Sequence, residues 1–132
     1  MPFDSVPRIG VKIMQNTTLQ LCTKLDIKPG QLSTFIDKLQ RFTATIEATE
    51  PLTSTYAWYI SDEGNCCYIV ERFPNSDAFM EHLNDLSEEM VLLLEMAPIS
   101  EVLVFGSPSD DATEGLRAYG AKFFPLTAGF IR

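Results

Sequence analysis

The spacing of apolar and polar residues predicts an alternation of strands and helices. Alternate apolar positions are typical of a strand that buries one face, and apolar positions three or four apart are typical of a helix. By these rules the chain contains, in order, a strand, a helix, two strands, a helix and a strand. The positions that define the first strand and the first helix are Leu19, Leu21, Leu25 and Ile27, and then Leu32, Phe35, Ile36, Leu39, Phe42 and Ile46.

Turn-forming residues mark where these elements begin and end. Pro29 and Gly30 end the first strand and open the first helix, because a proline in the first helical turn lacks an N–H that would have no partner there. Helices usually stop before a proline, so this one ends before Pro51. The tetrapeptide Asp-Glu-Gly-Asn at residues 62–65 predicts a hairpin. Ser76 is predicted to cap the second helix, which runs to about Ala97 through Phe79, Leu83, Leu86, Met90, Leu93 and Leu94.

The order β-α-β-β-α-β predicts an α+β fold of the ferredoxin-like type, with an antiparallel sheet and both helices on one face. A length of 132 residues fits a single domain. Residues 18–106 form its core, and residues 1–17 form an N-terminal arm. Residues 107–132 form a C-terminal extension, a short capped helix followed by an apolar tail. The tail either closes the mouth of a pocket or covers the edge of the sheet.

The central strands carry apolar side chains on both faces, although the predicted helices cover only one. An apolar face exposed to water needs a partner, and a second copy of the same sheet is the simplest one. The sequence therefore predicts a homodimer. The second strand alternates Tyr56, Trp58 and Ile60 with Ala57 and Tyr59, and the third alternates Cys67, Ile69, Glu71 and Phe73 with Cys66, Tyr68, Val70 and Arg72.

The net charge of the chain argues against two classes of binding partner. It has 18 acidic and 10 basic side chains, a formal net charge of −8. Binding to nucleic acid or to an anionic membrane requires clustered Lys and Arg, so the charge argues against both partners. No Lys or Arg lies between Arg72 and Arg117, and the acidic residues of that stretch are interpreted as a solvated face.

Several features favour a cytoplasmic location. Cys22, Cys66 and Cys67 are odd in number and form no CxxC pair, which is typical of reduced thiols. The first residues lack the apolar segment of a signal peptide, and no apolar run reaches the ~20 residues of a membrane span.

Residues 71–82, ERFPNSDAFMEH, resemble the signature of the antibiotic-biosynthesis-monooxygenase-like family. That signature has a Glu, an aromatic residue two positions on, a short turn, a helix start rich in Ser and Asp, and a His within the helix. The segments YAWYISDEGNCCYIVERF and KPGQLSTFIDKL also resemble the family's central hairpin and first-helix entry. The resemblance covers roughly residues 18–106 and implies a dimeric α+β barrel with a pocket between the sheet and the helices. The matching positions are Glu71, Phe73, Ser76, Asp77, Phe79 and His82.

The resemblance departs from the haem-degrading branch of the family. The pattern typical of that branch has an Asn on the first strand and a Trp near the end of the third strand. This chain has Gln20 and Cys22 on the first strand, and its third strand ends in Phe73. This difference argues against haem breakdown.

His82 and Glu71 are the candidate catalytic residues. Helical residues turn by about 100° each, which places His82 at the edge of the apolar stripe of its helix. It is either a partly exposed histidine supported by Asp85 or a backbone carbonyl, or a general base directed into the pocket. Glu71 interrupts an apolar strand face, so it either pairs with a cation of the sheet or of the dimer partner, or lines the pocket and orients His82.

Tyr56, Trp58, Phe73 and Phe79 are the candidate ligand-binding residues. They are either ordinary core and interface aromatics or the walls of a pocket for a flat aromatic ligand. One histidine without a second His or an acidic triad gives no strong metal signal, and no phosphate-binding, dinucleotide-binding or nucleophile-elbow motif is present, so no cofactor is expected.

Three functions remain open. The first is a cofactor-independent monooxygenase-like enzyme that acts on a small aromatic or quinol-type substrate, with His82 as the base and Glu71 as its orienting group. The alternative is a non-catalytic dimeric ligand-binding or accessory module of the same fold. The third is a purely structural dimer with a filled interior.

Overall fold

The computed structural model describes residues 16–85 and 88–132, which form five strands and four helices. The six predicted core elements occur in the predicted order. Residues 1–15 of the predicted N-terminal arm lie outside the described residues. The elements are β1 Leu19–Asp26, α1 Leu32–Thr49, β2 Thr55–Ile60, β3 Cys66–Phe73, α2 Ser76–Asn84, α3 Glu88–Met96, β4 Ile99–Phe105, α4 Asp110–Arg117 and β5 Lys122–Phe124.

The strands form one sheet in the order β2-β3-β1-β4-β5. The pairs β2–β3, β3–β1 and β1–β4 are antiparallel, which confirms the predicted α+β, ferredoxin-like arrangement. The fifth strand comes from the predicted apolar tail and pairs with β4 in parallel. Since an uncovered strand edge exposes unpaired N–H and C=O groups, β5 satisfies the edge of β4.

Two predicted helix boundaries are wrong. The first helix begins at Leu32, because Gly30 has a φ of 81° and forms a turn ahead of it. The long second helix is interrupted: α2 ends at Asn84, and Asp85 has the non-helical dihedrals φ −84° and ψ 0°. Asn and Asp side chains compete for backbone hydrogen bonds and disfavour helix interiors. Residues 86–87, which include the predicted stripe residue Leu86, lie outside the described residues.

The N-cap of α2 is Asn75 and not the predicted Ser76. The Asn75 side chain accepts a hydrogen bond from the Ala78 N–H at 2.9 Å. The Ser76 hydroxyl instead accepts a hydrogen bond from the Ser109 N–H at 2.8 Å, which ties the start of α2 to the start of α4. The predicted short capped helix of the extension is confirmed as α4, with Ser109 as its N-cap.

The helices bury one face of the sheet in two core clusters, and a cavity lies between them. None of the helices in the described ranges combines the length and hydropathy needed to cross a bilayer. The first cluster packs α1 and α3 on the sheet and contains Leu25, Ile27, Phe35, Leu39, Phe42, Ile46, Cys67, Ile69, Met90, Leu93 and Ala97. The second packs α2 and α4 and contains Leu19, Leu21, Phe73, Ala78, Phe79, Val102, Val104, Ala112 and Leu116.

The other face of the sheet, called the open face below, is not covered by any helix of the described chain. Because side chains alternate between the two faces of a sheet, every second residue of each strand, in register with Cys22 of β1, lies on this face. Four large hydrophobic side chains on this face are exposed to solvent: Tyr59 (60%), Phe124 (46%), Tyr68 (39%) and Phe105 (39%). The residues on the open face are Gln20, Cys22, Lys24, Asp26, Thr55, Ala57, Tyr59, Cys66, Tyr68, Val70, Arg72, Glu101, Leu103, Phe105, Lys122 and Phe124.

Candidate functional site

His82 lies buried on α2 between two carboxylates. Its side chain is only 5% exposed, so the ring does not occupy the half-exposed edge of the stripe. Nδ1 lies 2.6 Å from Oε1 of Glu50, and Nε2 lies 3.2 Å from Oε1 of Glu71. These two carboxylates, and not Asp85, hold the imidazole.

The local sequence explains how each carboxylate reaches the ring. Glu71 belongs to the inward-facing row of β3, between Ile69 and Phe73, and is buried there. Glu50 is the C-cap of α1, and Pro51 ends the helix directly after it. The Thr53 hydroxyl donates to Oε1 of Glu50 at 3.0 Å, which fixes the carboxylate from the loop side.

The two carboxylates determine the charge of the imidazole. Burial lowers the pKa of His82, but the hydrogen bonds and negative charges of Glu71 and Glu50 outweigh it and raise that pKa from 6.5 to about 9. The ring is therefore an imidazolium at neutral pH, with an N–H on each nitrogen. Burial, followed by the charges of Glu71 and Glu50, raises the pKa of Tyr56, so its phenol stays neutral beside the imidazolium.

A cavity of about 90 Å³ lies between the two core clusters, against the imidazole. Its polar lining consists of Glu71 and His82 together with Thr23 and Tyr119. The rest of its wall is apolar and comes from β1, β3, β4 and the three helices α2, α3 and α4. An apolar cavity of about 150 Å³ can hold benzene, so this smaller cavity does not enclose a whole ring, and a single-ring ligand bound here would lie only partly inside it.

Comparison with family models and with curated proteins returns no match. Solved structures do match. MupZ from Pseudomonas fluorescens superposes with a TM-score of 0.79 at 21% identity, over 89% of this chain and 96% of MupZ. Rv0793 from Mycobacterium tuberculosis gives 0.59 at 19% identity, over 71% of this chain and 97% of Rv0793. A Caulobacter crescentus protein provisionally described as an antibiotic biosynthesis monooxygenase gives 0.55 at 15% identity, over 67% of this chain and 86% of that protein.

The chain has the fold of the antibiotic biosynthesis monooxygenase-like proteins. The resemblance found in residues 71–82 is thus confirmed at the level of fold. At these identities the likeness establishes the fold alone, so the chemistry has to come from the residues of the site.

Within this monooxygenase-like fold, the predicted site residues divide into two groups. Glu71, His82 and Phe79 line the cavity. Phe73 is fully buried behind the site, with its ring centroid 5.3 Å from that of His82 and 5.5 Å from that of Phe79. Its predicted ligand contact stays a prediction.

Tyr56 and Trp58 lie on the edge strand β2, beneath α1, and do not line the cavity. The Tyr56 ring packs 5.5 Å from the imidazole, and the Trp58 ring packs 5.8 Å from Tyr56 and 5.9 Å from Phe35. Their hydroxyl and indole N–H are buried without a hydrogen-bond partner among the described residues. Their ligand-binding role also stays a prediction, since a ligand in the cavity would contact the imidazole before it reached them.

Three residues of the site were not singled out from the sequence. Thr23 interrupts the apolar face of β1, and this polar residue in an inward row was a usable signal. Glu50 and Tyr119 follow helices at positions without periodicity, so no pattern identifies them. In residues 16–85 and 88–132, no group of three or more His, Cys, Asp or Glu side chains is arranged to hold a metal ion.

Proposed function

We propose that this chain is a cofactor-independent proton-transfer enzyme of the monooxygenase-like fold, acting on a substrate of one ring or smaller. Glu71 is the base, and the positive charge of the adjacent His82 imidazolium stabilises the substrate anion. One observation carries this proposal: a carboxylate and an imidazolium nitrogen lie 3.2 Å apart on the wall of an otherwise largely apolar cavity. Such a pair can remove a proton and stabilise the resulting anion together.

The proposal exchanges the roles expected from the sequence. With a pKa of about 9, His82 already carries both protons at neutral pH and cannot accept a third. A carboxylate has about four acceptor positions, and Glu71 uses one of them for the imidazole. The remaining positions can receive the substrate proton, while the adjacent imidazolium balances the charge of the substrate anion.

We propose phenols and quinols as the substrate class. Removal of the hydroxyl proton gives an electron-rich anion, and the ring itself then supplies the electrons that reduce O₂. In that reaction one oxygen atom replaces the hydrogen of a ring C–H and becomes a carbonyl, giving a quinone. The other oxygen atom leaves as water with that ring hydrogen and the hydroxyl hydrogen. The protein is required only to take and return protons, to exclude water and to orient the substrate.

The test is a panel of single-ring phenols and quinols, followed by NMR in D₂O and by an oxygen electrode. Oxygen uptake with formation of quinone supports the proposal, and enzyme-dependent deuterium exchange at a ring C–H without oxygen uptake supports proton transfer alone. A thermal shift with neither reaction overturns the enzyme proposal in favour of the ligand-binding module. That alternative is favoured by the fact that both imidazole nitrogens already have carboxylate partners. The cavity beside the imidazole argues against a purely structural dimer.

Thr23→Val is expected to raise KM about 2- to 10-fold with little change in kcat. The substitution retains the shape of the side chain but removes the cavity hydroxyl, and one neutral hydrogen bond contributes about 0.5–1.5 kcal/mol. Steady-state kinetics on the best substrate of the panel measure the effect. Thr43→Val is the control, because the Thr43 hydroxyl is buried on α1 outside the cavity lining. Equal KM values for the two variants would remove Thr23 from the site.

We further propose that two chains pair through their open faces. Val70→Asp, in the middle of the open face, is expected to convert a dimer into a monomer, because an aspartate there would be desolvated without a partner. Val91→Asp places the same charge on α3, where Val91 is 57% exposed, and should leave the dimer intact. Light scattering coupled to size exclusion measures the mass, and circular dichroism confirms folding. A wild-type monomer in dilute buffer would contradict the pairing.

A further inference from the structure

The imidazole of His82 lies between two pockets. On its inner side is the substrate cavity. On its outer side is a surface cleft of about 90 Å³, called the outer cleft below, between the start of the loop after α1 and one face of α2. Among the described residues, His82 alone lines both pockets.

The two ring nitrogens contact carboxylates that line different pockets. Nε2 contacts Glu71, which lines the cavity, and Nδ1 contacts Glu50, which lines the outer cleft. The carboxylate of Glu50 therefore holds the ring from outside the space that a substrate would occupy. It does not line the cavity itself, so any effect on the reaction passes through the imidazole.

We propose that Glu50 is a positioning residue that fixes a proton on Nδ1 and so directs the opposite N–H of His82 to Glu71 on the cavity wall. This inference rests on the proposed function, because it assigns the group that keeps the imidazolium charged and in place beside the base. A carboxylate that accepts an N–H from one side of an imidazole sets its orientation and favours its charged form. Glu50 is suited to this role because the Thr53 hydroxyl and the end of α1 hold it in place.

Other titratable groups around the ring do not duplicate this contact. Glu71 reaches the other nitrogen from β3, and the neutral phenol of Tyr56 packs against the ring from β2. Glu81 and Asp85 of the α2 segment line the outer cleft, and both are exposed. Tyr119 lines the substrate cavity near the end of α4. Among the described residues, Glu50 alone is hydrogen-bonded to Nδ1.

The test uses ¹⁵N NMR of the imidazole in the free protein, where the single histidine of the sequence makes the signals unambiguous. In the wild type, both ring nitrogens should carry protons at pH 7, with a titration midpoint at about 9. Glu50→Gln should lower that midpoint by about 1–3 units, the size of shift that a neighbouring opposite charge produces. The control is Glu81→Gln, which removes an exposed charge from the same cleft and should leave the midpoint nearly unchanged.

A second variant, Glu50→Asp, guards against a Glu50→Gln protein that does not fold. It keeps the charge but draws it back by one methylene, so the midpoint should fall by less than in Glu50→Gln. Midpoints equal to that of Glu81→Gln in both Glu50 variants would overturn the inference. So would a wild-type ring with a bare Nδ1 at pH 7.

Kinetics separate this inference from the proposed function. If the proposed function holds, Glu50→Gln should shift the alkaline limb of the kcat/KM profile, which reports the free enzyme, to lower pH by the same amount as the NMR midpoint. The NMR result needs no substrate. A shifted midpoint without turnover on any phenol or quinol therefore refutes the enzyme proposal and leaves the positioning role of Glu50 supported.

Discussion

Glu71→Gln is expected to lower kcat by about 10²–10⁴-fold, the usual contribution of a positioned acid or base. The amide oxygen of the variant can still accept the Nε2–H of His82, so the imidazole should keep its place. The amide cannot take a proton from the substrate. The loss should therefore fall on kcat, and KM should change much less, which is the signature of an interaction used in the transition state.

The measurement is steady-state turnover of the best phenol or quinol, with circular dichroism to confirm folding. Glu47→Gln is the matched control, because it makes the same chemical change at an exposed position of α1. It should turn over at the wild-type rate. A Glu71→Gln variant with more than about a tenth of wild-type kcat would contradict the assignment of Glu71 as the base.

The second large effect concerns stability against pH. His82 has a pKa of about 9 in the folded protein and 6.5 in the unfolded chain, so the folded state binds the proton more tightly. This stabilisation is fully present below pH 6.5 and is lost as the pH rises through 9. At 1.36 kcal/mol for each unit, the loss amounts to about 3 kcal/mol. The free energy of unfolding should therefore fall between pH 6.5 and pH 9.5.

Urea unfolding at several pH values across this window measures the slope. His82→Asn is the control, because it removes the single histidine and should flatten the curve between these pH values, whatever its absolute stability. Above pH 9 a further decrease is expected in both proteins, because burial, followed by the adjacent Cys66, raises the pKa of Cys67 to about 11. Parallel curves for the wild type and His82→Asn below pH 9 would show that the buried ring does not carry the extra proton.

The sheet and its faces could be predicted from sequence because strand alternation is a local property. Ile69, Glu71 and Phe73 share the buried face of β3, as the two-residue period requires. The break after Asn84 was missed because the apolar stripe continues past it, although Asn and Asp are poor helix formers. A strand of three residues such as β5 has too few positions to show a period.

The site was predictable only in part. The family resemblance pointed to Glu71 and His82, and the structure places them in contact. Glu50 lies 32 positions before His82, and only the folded chain brings the end of α1 next to His82 of α2. The charge of the imidazole depends on that contact, so the transfer of the base role from His82 to Glu71 could not be derived from the pattern along the chain.

Part of the cavity wall is built by residues that follow the βαββαβ unit: Gly115, Leu116 and Tyr119. Residues 1–106 make up about four fifths of the chain, so a likeness that covers 89% of it, as with MupZ, must reach into the C-terminal segment. The matches that cover 67% and 71% need not include that segment. Proteins of this architecture can therefore share a scaffold yet differ in this replaceable wall. Replacing residues 107–124 with a segment of another size is expected to change the volume of the cavity beside His82, because Glu50, Glu71 and His82 themselves all come from residues outside that segment.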